Sequence, residues 1–137
     1  MALSLVDNAA NTKILAIDDS EEVRSQINEF FKKNGFQVQL APDGQSGLKV
    51  LETEKDISLV ILDFNMPGMN GLETLEAIRT QLNLKDLPIV FLTTEDSEEK
   101  RKIAKSFGVK FWLVKPFLEQ KVMKIVKILI NDPSFAQ

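Results

Sequence analysis

Residues 57–82 read ISLVILDFNMPGMNGLETLEAIRTQL, and the fold is decided in this stretch. Ile57 to Leu62 is a short, near-continuous apolar run that stops at Asp63. Such a run fits a strand of a parallel sheet covered on both faces. Met66-Pro67-Gly68-Met69-Asn70-Gly71 is turn material. Asn70 and Glu73 have the spacing of a capping box, with Asn in place of the usual Ser or Thr. Leu72, Leu75, Ile78 and Leu82 then recur at helical spacing.

The same strand-then-helix alternation extends in both directions. Upstream, Ile14-Leu15-Ala16-Ile17 stops at Asp18-Asp19. Ser20 is placed to cap a helix carrying Val23, Ile27, Phe30 and Phe31, and Asn34-Gly35 stops it. Phe36 to Leu40 reads as a second strand and Pro42 to Glu54 as a helix weakened by Gly44 and Gly47. Downstream, Ile89 to Leu92 closes on Thr93, and Asp96 to Phe107 is a charged helix with Ile103, Ala104 and Phe107 as its apolar face. Val109 to Val114 is a fifth strand, followed by a helix marked by Leu118, Val122, Ile125, Val126 and Leu129. Five βα units with apolar strands imply an open, doubly wound α/β fold: a five-stranded parallel sheet with helices on both faces. Ligands of such folds sit beyond the carboxyl ends of the strands.

Composition narrows the chemistry. The chain has 137 residues, enough for one domain, expected over 13–131 between a flexible tail at 1–12 and a short one at 132–137. Its net charge of −3 argues against direct nucleic-acid binding. Cysteine and histidine are both absent, which excludes disulfides, thiolate or imidazole metal sites, and a histidine general base. The apolar runs are far short of the roughly 20 residues of a membrane span, so no membrane insertion is expected. Met1 to Asn11 lacks the basic start of a secretory signal, and a cytoplasmic location is the expectation.

The residues that end the strands carry the functional signal. Parallel strands would collect Asp18, Asp19, Asp63, Thr93 and Lys115 at one edge of the sheet. Two carboxylates about 4 Å apart repel by roughly 4 kcal/mol at an effective dielectric of 20, and one lysine offsets only part of this. A divalent cation with oxygen ligands offsets the rest; Mg2+ suits the site, with Mn2+ as an alternative. Asp63 is the best nucleophile towards an activated phosphorus, with Asp18 and Asp19 holding the metal and a backbone carbonyl near Asn65 completing its shell. Lys115 would spread the charge of the transferred group, and the Thr93 hydroxyl would donate to a phosphate oxygen. Any one of these residues alone is more often a turn or capping residue. The joint pattern is what points to chemistry.

That pattern resembles the response-regulator receiver domain of bacterial two-component signalling, most of all the stand-alone chemotaxis type. The matching stretches are Ile14 to Asp19, Leu62 to Gly71, Leu87 to Thr93 and Leu113 to Phe117. The resemblance implies a flavodoxin-like (βα)5 fold and phosphorylation of Asp63 by a histidine kinase or phosphotransfer protein. It implies Mg2+ bound by Asp18, Asp19, Asp63 and the Asn65 carbonyl, phosphate contacts from Thr93 and Lys115, and a cis Lys115-Pro116 peptide. Asn65 and Glu95 fall where the family tunes dephosphorylation. Thr93 and the aligned aromatic, Trp112, fall where it switches conformation. The family usually has Tyr or Phe there, and two readings of the larger Trp112 stay open: an inward-turning switch or an outward-facing interface residue.

Lys110, Trp112, Lys121 and Lys124 are candidates for a basic, partly apolar face towards a downstream protein effector. Two other functions compete. One is the receiver half of a transcriptional regulator, although Lys110-Phe111 replaces the acidic pair common in that class. The other is an aspartyl-phosphate hydrolase of the haloacid-dehalogenase type. It is disfavoured because Asp63 follows the third strand and position 65 is Asn, not a general-acid Asp.

Overall fold

A computed structural model of the chain describes residues 11–131. The tails expected at 1–12 and 132–137 therefore lie almost entirely outside the described residues. Strands β1 (Lys13–Ile17), β2 (Gln37–Ala41), β3 (Ile57–Leu62), β4 (Ile89–Thr93) and β5 (Phe111–Val114) alternate with five helices. These are α1 (Glu21–Lys33), α2 (Gly44–Thr53), α3 (Gly71–Arg79), α4 (Glu98–Ser106) and α5 (Glu119–Asn131). All strands are parallel, in the order β2-β1-β3-β4-β5.

The twofold period of each strand sorts its side chains between two cores. Ile14, Ala16, Leu59, Ile61, Val90 and Leu92 face α1 and α5, where they meet Ile27, Phe31, Val122, Val126 and Leu129. Leu15, Ile17, Val60, Leu62 and Phe91 face the other way, onto Leu48 and Leu51 of α2, Leu75 and Ile78 of α3, and Ala104 of α4. Most of these side chains are completely buried, each worth about 1.5–3 kcal/mol against exposure.

The helix starts are set by short polar side chains. Ser20, Asp43, Asn70 and Ser97 each accept a backbone N–H from the first turn of the following helix. Asn70 and Glu73 form the full reciprocal capping box.

Several boundaries and faces differ from the sequence reading. The helix expected from Pro42 begins at Gly44, because Asp43 takes the cap. Leu82 lies beyond the end of α3, where its N–H bonds the Ala77 carbonyl in a closing turn. Ile103 is exposed, leaving Ala104 as the only buried residue of α4. Leu118 precedes α5 and is 71% exposed; it continues the apolar spacing but falls outside the helix that would turn it inward. β5 begins at Phe111, since Val109 still bonds back to the last turn of α4.

Candidate functional site

The chain order reverses at β1, which lies between β2 and β3, and the crevice of such a sheet opens beyond the carboxyl ends of β1 and β3. Asp18 and Asp19 follow β1 there, and Asp63 follows β3. The Asp63 N–H donates to the Ile17 carbonyl at 2.9 Å, continuing the ladder and fixing the two acidic turns side by side. One carboxylate oxygen from each of Asp18, Asp19 and Asp63 lies within 4.8 Å of the others. Thr93 closes β4, and the Lys115 N–H donates to its carbonyl at 2.8 Å, which brings β5's end to the same edge. The five residues singled out, from four distant segments, thus share one site.

Its electrostatics are unbalanced. Asp18 and Asp63 are buried, at 2% and 4% exposure, while Asp19 is exposed. The Lys115 ammonium sits 2.7 Å from Asp18 Oδ2 and 3.6 Å from Asp63 Oδ2, so its direct hydrogen bond goes to Asp18. Asp18 also accepts the Ser20 N–H on Oδ1 at 2.9 Å. Asp63 Oδ1 is buried and has no hydrogen-bond partner. Burial, and then the neighbouring Asp18 charge, push the Asp63 carboxyl above the ordinary carboxylate range. Lys115, the Thr93 hydroxyl and the Asn65 N–H pull it down by less, without either of the last two completing a bond to Oδ1.

An orphaned buried carboxylate oxygen beside two more carboxylates is a donor set for a hard cation. Asp19 provides the exposed side through which such an ion would enter. All the donors are oxygen, which favours magnesium-like ions over zinc or copper.

The surrounding loops place the remaining candidates. Asn65 is exposed two residues past Asp63, and its amide reaches the Thr94 hydroxyl at 3.4 Å. The Glu95 N–H donates to the Thr93 hydroxyl at 3.1 Å, and the Glu95 carboxylate pairs with Lys100 at 2.6 Å. That pairing chiefly holds the Glu95 carboxyl below its usual range. Trp112 faces Phe91 across β4 and β5 and is half-buried, its ring 4.9 Å from Phe91 and 5.9 Å from Phe64. Its indole N–H donates to the Glu95 carbonyl at 2.9 Å, tying β5 to the loop after Thr93. The Lys115-Pro116 peptide is cis. Lys110, Lys121 and Lys124 rim a groove of about 530 Å³ between α4, β5 and α5, together with Arg101 and Lys105 over Trp112, Ile125 and Ile128. A second hollow, of about 580 Å³, lies at the opposite edge of the sheet among Lys55, Ser58, Asn83 and Pro88, away from Asp18, Asp19 and Asp63.

Three structural contributors escaped the sequence reading. Gly71 starts α3 directly against the loop after β3: a Cβ there would lie 2.6 Å from the Asp63 carbonyl oxygen and 2.8 Å from the Phe91 ring. Arg79 is buried, and its guanidinium donates to the carbonyls of Leu84, Leu87 and Phe107. Its position four residues after Leu75, on the apolar stripe, was the signal for it. Lys100 sits with its ammonium 4.8 Å from the centre of the Phe64 ring, a contact between the first turn of α4 and the loop after β3 that no local pattern reveals.

The chain is similar to known proteins over most of its length. Chemotaxis protein CheY-3 of Vibrio cholerae is 37% identical over 124 residues, covering 87% of this chain and 95% of that protein. Transcriptional regulatory protein CpxR of Escherichia coli is 33% identical over 125 residues, covering 91% of this chain but 52% of CpxR. Among solved structures, chemotaxis protein CheY4 of V. cholerae superposes with a TM-score of 0.79 at 37% identity, over 88% of this chain and 99% of that one. A two-component response regulator from Clostridium difficile reaches 0.82 at 23% identity, over 88% and 97% of the two chains, and shows the shared fold. Residues 14–127 match the response regulator receiver domain. The chain belongs to the response regulator receiver domain family.

Proposed function

We propose that this chain is a single-domain response regulator that takes a phosphoryl group on Asp63 and thereby changes its affinity for an output protein. Phosphorylation and partner switching are general properties of receiver domains, as is Mg2+ binding through acidic residues. The observation that carries the reading for this chain is Asp63 itself: buried, with one oxygen unpartnered, beside Asp18 and the Lys115 ammonium.

The donor would be the phosphohistidine of a sensor kinase or phosphotransfer protein, acting in the cytoplasm. An Asp63 carboxylate oxygen attacks phosphorus, the P–N bond breaks, and its electron pair leaves on the imidazole nitrogen. Lys115 balances the charge on the transferred oxygens, and the Thr93 hydroxyl donates to one of them. Thr93 already receives the Glu95 N–H on its oxygen, so its own proton is available for this. Asp18, Asp19, Asp63 and the Asn65 backbone carbonyl would hold Mg2+ (Mn2+ is the alternative), which supplies positive charge to the phosphoryl oxygens.

Trp112 fits the inward reading of the switch. It packs on Phe91 and Phe64 and bonds the loop that begins at Thr93, so a movement of Thr93 towards a phosphate alters its seat. The groove rimmed by Lys110, Lys121 and Lys124 has Trp112 in its lining and is the proposed surface for the effector. The likeness to CpxR supports a second reading, the receiver part of a larger transcriptional regulator. Incubation with acetyl phosphate and Mg2+, followed by intact mass, tests the proposal: one phosphoryl group adds to the wild-type chain and none to Asp63→Asn. Equal labelling of the two would refute it.

A further inference from the structure

We propose that Lys100 is a positioning residue that lengthens the life of the phosphorylated form, acting through Glu95. This rests on Asp63 being the phospho-acceptor. Lys100 occupies the first turn of α4, its N–H held by the Ser97 cap at 3.3 Å. Its side chain reaches back across the loop after β4, and two contacts fix the ammonium. One is the Glu95 carboxylate at 2.6 Å. The other is the face of the Phe64 ring, 4.8 Å from its centre. Phe64 immediately follows Asp63 and is itself buried.

One cation therefore bridges the two loops that flank the acceptor carboxylate. Asn65 joins the same bridge: its amide reaches Thr94 and favours the charged form of Glu95. The restrained carboxylate belongs to a residue whose N–H bonds the Thr93 hydroxyl and whose carbonyl receives the Trp112 indole. Hydrolysis needs water to attack phosphorus as the Asp63 carboxylate leaves, with one water proton passing to solvent. A Glu95 and Asn65 held in place by Lys100 narrow that approach. Without the ammonium, Glu95 faces the new phosphoryl charge unpaired and swings towards solvent, and the approach opens.

The pair is partly exposed, with side-chain exposures of 41% for Lys100 and 24% for Glu95. The expected effect is accordingly modest, about two- to fivefold in rate. The full-length chain is labelled with acetyl phosphate and Mg2+, the donor is removed, and loss of the label is followed by intact mass. Lys100→Gln should lose label about two- to fivefold faster than wild type, and Lys100→Arg, which keeps the cation, should stay near wild type. Adding Lys100→Gln to Glu95→Gln should change nothing beyond Glu95→Gln alone. Lys102→Gln removes a charge two residues along the helix and should leave the lifetime unchanged. The proposal is overturned if Lys100→Gln decays like wild type, if its effect persists undiminished in the Glu95→Gln background, or if Lys102→Gln accelerates decay equally. Failure of the wild-type chain to take label at all overturns the acceptor assignment, and this inference with it.

Discussion

Replacing Asp63 by asparagine should stabilise the metal-free chain at neutral pH. The wild-type site buries a carboxylate at 4% exposure beside a second one, and the single lysine at hand gives its closest contact, 2.7 Å, to Asp18. Asp63 Oδ1 has no hydrogen bond, and a buried polar group left so costs about 1–3 kcal/mol. Asparagine keeps the shape, removes the charge and is more easily left partly unsatisfied. A gain of about 1–2 kcal/mol is expected, or roughly 3–8 °C in Tm for a domain of this size.

The pH dependence has a definite sign. The Asp63 carboxyl is raised in the folded state, so its contribution is most favourable below the ordinary carboxylate value and is lost as pH rises through the raised one. The advantage of Asp63→Asn should therefore be largest above the raised value, shrink as pH falls through it and be gone below about pH 4, the ordinary carboxylate range. Magnesium should reverse the order. An ion present at 100 times its dissociation constant stabilises the form that binds it by about 2.7 kcal/mol. Thermal unfolding by circular dichroism, with EDTA and then with MgCl2, measures both effects. An Asp63→Asn variant less stable than wild type in EDTA, or gaining as much from MgCl2, would refute the reasoning.

Three further outcomes follow from particular contacts. Gly71→Ala should destabilise by about 1–3 kcal/mol in urea unfolding, since its Cβ would meet backbone at the Asp63 loop and the Phe91 ring. Arg79→Ala should cost about 3 kcal/mol or more in the same assay, because the carbonyls of Leu84, Leu87 and Phe107 lose their shared donor. Beryllium fluoride with Mg2+ should change the emission of Trp112, the sole tryptophan, through its bond to the Glu95 carbonyl; an unchanged spectrum with ligand demonstrably bound would contradict its switch role.

The strand ends that build the site were legible in the sequence because β1, β3, β4 and β5 carry near-continuous apolar runs that stop abruptly at a polar residue, as Leu62 does at Asp63 and Leu92 at Thr93. Parallel pairing then places those polar residues at one edge. Helix starts were equally local, since Ser20 and Asn70 announce their caps. What escaped was the packing between elements. Leu118 and Ile103 satisfy helical spacing yet face solvent, because spacing defines a stripe but not what covers it. Arg79 is charged and buried, and only the three carbonyls gathered from distant loops explain it. The contact of Lys100 with Phe64 joins residues 36 positions apart through a loop crossing that no period encodes.

The most direct test is to locate the phosphoryl group. The wild-type chain, labelled with acetyl phosphate and Mg2+, is reduced with borohydride, which converts an acyl-phosphorylated aspartate to homoserine, and then mapped by tandem mass spectrometry. The account requires homoserine at position 63 alone, and none when Mg2+ is withheld by EDTA. Homoserine at Asp18, Asp19 or another carboxylate, with Asp63 unchanged, would contradict it.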